Sequence, residues 1–99
     1  MTINLGGNIN LVGFKELDRP TLFIVRKMVG NYVRKLTDRG ANLTEVSVSL
    51  KSVHATENSQ LFELKAKAID NGAIHVAEHT DRNLFVALDK VMEKIEKNI

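Results

Sequence analysis

Between two runs of alternating apolar and polar residues the chain reads Asp70-Asn71-Gly72, and few three-residue stretches leave a backbone less choice. Asparagine and glycine tolerate the positive φ that a type I′ turn needs at its two central positions, so the spacing predicts a tight hairpin. Ahead of the turn, residues 61–69 put Phe62, Leu64, Ala66 and Ala68 on one face and Glu63, Lys65 and Lys67 on the other. Behind it, Ala73 to His79 must be the partner strand. Upstream, residues 43–53 repeat the alternation, with Val46, Val48 and Leu50 inward and Ser47, Ser49 and Lys51 outward; the polar stretch 55–59 joins that strand to the next.

Helical spacing takes over on either side of these strands. Asp18-Arg19-Pro20 is a helix start, because proline in the first turn gives up an N–H that has no partner there. Leu22, Val25, Val29, Tyr32, Val33 and Leu36 then recur along one stripe, and Gly40 supplies the stop. Lys27, Arg34 and Asn31 lie away from that stripe, with Lys35 beside them, and Phe23 and Ile24 also lie off it. A second helix is expected from a cap at Thr80 or Asp81, with Leu84, Leu88, Val91 and Ile95 inward and Lys90, Lys94 and Lys97 among acids outward. Residues 3–12 read as one irregular strand, bent at Gly6-Gly7. Those glycines are not followed by the Lys-Ser or Lys-Thr of a phosphate loop.

The order is therefore βαβββα. The expected fold is α+β: a four-stranded, mostly antiparallel sheet with both helices on one face, like a double-stranded-RNA-binding domain, and the other face open. Ninety-nine residues fit a single domain, 1–99. No apolar run is long enough to span a membrane and no signal-peptide pattern opens the chain, so a cytoplasmic protein without a membrane partner is expected. The absence of cysteine removes disulfides, thiol catalysis and cysteine-based metal sites.

Charge is unevenly placed. Between Lys15 and Arg39 seven basic residues face three acids, whereas the rest of the chain has seven basic and nine acidic residues. Such asymmetry suits a polyanionic partner, although a solvated helix gives the same pattern. Catalysis is not expected. His54, His75 and His79 are the main candidates, but a strand would hold His75 and His79 about 13 Å apart, too far to share a zinc ion. No metal, cofactor or small-molecule substrate is expected, and the Asn42-Leu43-Thr44 sequon has no secretion signal to give it meaning. With five aromatics, mostly on core stripes, no base-stacking platform is expected; Phe23 is the exception, with covering the sheet end as its simpler role. Lysines on the open sheet and the helices suit the phosphates of folded or double-stranded RNA.

The strand SVSLKSVH, the alternating FELKAKA, the turn into AIHVAEH and the helix entry NLFVALDKVMEKIEK, together with the N-terminal LGGNINL, resemble the ribosome hibernation-promoting factor family, also described as sigma-54 modulation proteins, in its short single-domain form. Phe85, Ala87-Leu88-Asp89 and Lys94 fall where the family has an aromatic residue, Ala-Ile-Asp and a lysine. The resemblance implies a non-enzymatic, RNA-binding, ribosome-associated protein that occupies the small ribosomal subunit and its rRNA, and blocks or modulates translation in resting or stressed cells. Carried over by position, its RNA contacts would be Lys27, Arg34 and Lys35 on the first helix, Lys51, Lys65 and Lys67 on the sheet, and Lys90, Lys94 and Lys97 on the second helix. Two other readings stay open: a general double-stranded RNA module, and a protein-interaction domain that forms a homodimer through a sheet edge or the Phe23-Ile24 patch. The sequence does not decide between monomer and oligomer.

Overall fold

The computed structural model describes residues 2–4, 8–56 and 59–99, with side chains described for 8–53 and 60–99. The elements are β1 (Thr2–Asn4), β2 (Ile9–Val12), α1 (Arg19–Asp38), β3 (Leu43–Thr56), β4 (Ser59–Asp70), β5 (Ala73–Asp81) and α2 (Leu84–Asn98). One five-stranded sheet runs in the order β1-β2-β3-β4-β5. Its neighbours are antiparallel except for β2 and β3, which are parallel because α1 carries the chain back to start β3 in the same direction.

The expected α+β order βαβββα is present, with one refinement at its start. Where residues 3–12 read as one strand, there are two, β1 and β2, which pair antiparallel with Thr2 opposite Val12. The bend expected at Gly6-Gly7 lies outside the described residues, as does the side chain of His54.

The Asn71-Gly72 turn forms as the sequence dictates, with φ of 51° and 86° at its two central residues. Gly40, at φ 100°, turns the chain out of α1, and the Ala41 N–H returns to the Leu36 carbonyl at 3.0 Å. The start of α2 differs from expectation. Thr80 and Asp81 remain in β5, opposite Glu63 and Phe62 of β4, because a strand with a partner satisfies more backbone groups than an earlier cap would. Asn83 caps the helix instead, its Oδ1 accepting from the N–H groups of Phe85 at 2.9 Å and Val86 at 3.2 Å.

The core lies between one sheet face and the two helices. Leu11, Val46, Val48, Leu64, Ala66 and Ala68 come from the sheet; Val25, Val29 and Leu36 from α1; Leu84, Ala87, Leu88, Val91, Met92 and Ile95 from α2. The small Ala66 and Ala68 let α2 settle close over β4 and β5. Phe14, in the link before α1, is also fully buried, a core role its loop position did not advertise.

Candidate nucleic-acid interface

Strand alternation decides where the sheet lysines go. Lys51, Lys65 and Lys67 are exposed on the face opposite the helices, where Ser47 stands across from Lys67, Ser49 from Lys65 and Lys51 from Glu63. That face is electrically balanced: Glu45, Glu63 and Glu78 share it with the three lysines. Lys67 lies 3.3 Å from Glu45 and Lys65 lies 3.7 Å from Glu63. A shallow depression of about 380 Å³ there is lined by Ser47, Ser49, Lys65, Lys67, Val76 and Glu78.

The helix layer holds the other six residues, so the nine do not form one patch. Tyr32 contacts Asp89, and one to two turns on Lys35 and Arg39 contact Glu96, two turns beyond Asp89; the contacts advance together, so α1 and α2 run side by side in the same direction. Lys35 belongs to this seam. Its Nζ is 2.9 Å from Glu96 Oε2, with Arg39 Nη1 at 3.0 Å from the same oxygen. The hydrogen bond from Lys35, aided by the charges of Lys35 and Arg39, holds the Glu96 carboxyl below the usual glutamate range, against the desolvation that pulls the other way.

Lys27 and Arg34 lie on the outer side of α1, away from its buried stripe of Val25, Val29 and Leu36. Lys27 Nζ sits 4.8 Å above the Phe23 ring. Phe23 is 58% exposed, so it does not cover the sheet end. Across α1 five basic residues meet one acid, Asp38, and none of Arg26, Lys27 and Arg34 makes an ion pair among the described residues. Arg26 was not among the expected contacts, since on a wheel it falls beside the core stripe; the structure leaves it exposed.

On α2 the three lysines differ. Lys94 reaches over the sheet edge and donates to the Glu78 carbonyl at 2.8 Å, with His79 Nδ1 at 3.3 Å. Lys97 is 3.6 Å from Glu93, one turn earlier on its own helix. Lys90 has no acidic partner among the described residues. His75 and His79 stand on β5, four residues apart along an extended strand as expected, and both are half-buried. They face the helix side because their neighbours Ile74, Val76 and Glu78 take the outer face.

What this arrangement can do follows from where the cations are. Among the described residues, the exposed cations without an acidic partner are concentrated on α1. Over residues 24–99, more than three quarters of its length, the chain matches the family described as sigma 54 modulation protein / S30EA ribosomal protein. It belongs to that family, which is one of ribosome-associated modulation factors. The match takes in α1 from Ile24 onward and leaves its first turn, β1 and β2 outside it. No match is found among curated proteins. No described helix is long and apolar enough to cross a membrane.

Proposed function

We propose that this protein binds the small ribosomal subunit through its rRNA and blocks or modulates translation in resting or stressed cells, acting in the cytoplasm and without catalysis. Family membership over residues 24–99 carries the reading. The cations support it: Lys27, Arg34, Lys90 and Lys97 are exposed on the helix layer, where amines and guanidinium groups can replace counterions along phosphate backbones. Lys94 and Lys35 are partly committed to Glu78, His79 and Glu96, and Lys51, Lys65 and Lys67 lie on the balanced sheet face; these five contribute less.

The test is co-sedimentation with purified small subunits across a salt series. Wild type binds and weakens steeply with salt. A Lys27/Arg34→Ala variant, and a Lys90/Lys94/Lys97→Ala variant, bind more weakly, with a salt slope shallower by roughly 0.9 for each phosphate that is no longer neutralised. A Lys65/Lys67→Ala variant changes binding least. Absence of wild-type binding at low salt sinks the reading, and equal binding to any RNA duplex replaces it with the general double-stranded RNA module.

A further inference from the structure

The outer edge of β5 closes the sheet on one side, and its two ends are treated differently. Asp70 and Ala73 flank the two-residue turn, so they form a hydrogen-bonded pair and Ala73 directs its backbone N–H and C=O at β4. Alternation then turns the backbone groups of Ile74, Val76, Glu78 and Thr80 away from β4, toward the open edge. Lys94 confirms the phase independently, because it takes the Glu78 carbonyl from outside. A lysine laid over an edge carbonyl is a familiar way of keeping a sheet from adding strands. At Ile74 and Val76 there is no such guard. Their side chains are 64% and 65% exposed, more than any other large hydrophobic residue described. From Asn71 to Ala77 the edge carries no acid, lysine or arginine.

We propose that the open segment of β5 pairs antiparallel with β5 of a second copy of this chain, about a two-fold axis at His75. Ile74 then lies opposite Val76 of the second copy, and Val76 opposite Ile74. All four residues already point their N–H and C=O groups at the edge, so the pairing forms four backbone hydrogen bonds and brings four exposed apolar side chains together on the open face. The register is set by what lies at each side. Centring on Val76 would place Ile74 against Glu78, whose carbonyl Lys94 already occupies; centring on Ile74 would set Val76 against Gly72 and forfeit the side-chain match. A neutral edge favours a second copy over RNA, which the charged faces of α1 suit better. The contact is isologous and closes at two chains, because the β1 edge takes no part in it. The area involved is one short strand pair, so the dimer forms at high protein concentration. This edge is separate from the α1 cations Lys27 and Arg34, although Val76 adjoins Lys65 and Lys67 on the open sheet face.

Analytical ultracentrifugation of the full chain over a concentration series, joined to a cysteine cross-link, tests the proposal. Wild type shows a reversible monomer–dimer equilibrium. Val76→Lys, at an exposed site where folding is not at stake and circular dichroism verifies it, weakens dimerisation roughly tenfold or more by placing a charge in the seam. Since the chain has no cysteine, His75→Cys provides a single thiol that meets its own symmetry mate in a non-hydrogen-bonded pair, at a spacing a disulfide can bridge. Oxidation converts it to a covalent dimer, whereas Val76→Cys cross-links poorly. A wild type that stays monomeric throughout, a dimer indifferent to Val76→Lys, or better cross-linking at 76 than at 75 overturns the proposal. None of these results depends on ribosome binding.

Discussion

The Tyr32 hydroxyl on α1 donates a 2.6 Å hydrogen bond to Oδ1 of Asp89 on α2, tying together helices that are 57 residues apart in sequence. Partial burial, then the Asp89 carboxylate, push the phenol above its ordinary value. A raised pKa on an acid means that the neutral form is the one the fold favours. The bond therefore stabilises the protein at every pH below the unfolded value of about 10, and its contribution is lost as pH rises through the folded one. Ultraviolet titration should show Tyr32 ionising later than free tyrosine, and Tyr32→Phe should cost about 1 kcal/mol in denaturant unfolding. Ionisation at the free-tyrosine value would contradict the geometry.

Glu96 acts as the anion for both Lys35 and Arg39, and its lowered pKa has the opposite sign consequence. Its contribution to stability is present above the unfolded glutamate value and disappears as pH falls through the depressed folded value. Carbon-13 NMR of the Glu96 carboxyl should give a midpoint below that of free glutamate. Glu96→Gln should also strengthen RNA binding at low salt, because it frees two cations at the helix seam; weaker binding would show that the seam geometry matters more than its charge.

Two glycines should respond oppositely to alanine. Gly13 has φ 82°, and a Cβ there would run into the Leu50 carbonyl oxygen, so Gly13→Ala should destabilise by about 1–3 kcal/mol from backbone strain, with the clash in addition. Gly30, within α1, has open space around an added Cβ, and Gly30→Ala should stabilise by about 0.5–1 kcal/mol by removing backbone freedom from the unfolded chain. Thermal melts of the two variants should move in opposite directions.

Lys90 and Lys94 are separated by one helical turn but differ in commitment. Lys90→Ala should lower RNA affinity and the salt slope without changing stability, since it has no acidic partner among the described residues. Lys94→Ala should cost stability as well, and should raise hydrogen exchange in β5, because it uncovers the Glu78 carbonyl and loosens α2 from the strand. Identical behaviour of the two variants would mean that the Lys94 contact carries no weight in solution.

Local chemistry determined much of this protein without help. The Asn71-Gly72 turn, the alternation from Val46 to Lys51 and from Phe62 to Ala68, and the stripe from Leu22 to Leu36 are legible because turn geometry, pleat and helical repeat act over a few residues. The family resemblance was legible in the same way. Tertiary structure decided the rest, because it depends on which surfaces meet. Asn83 rather than Thr80 or Asp81 caps α2, since β4 holds β5 for two residues more. Phe14 is core because its loop carries it in among the buried residues of the sheet and helices, and Phe23 is exposed because α1 turns it outward. The nine expected RNA contacts divide between two opposite faces, and carboxylates remote in sequence claim two of them: Glu45 takes Lys67 and Glu96 takes Lys35. Spacing along a chain gives the face of one element, but the neighbour that face meets is chosen only when the elements pack, and that choice settles which cations remain for a partner.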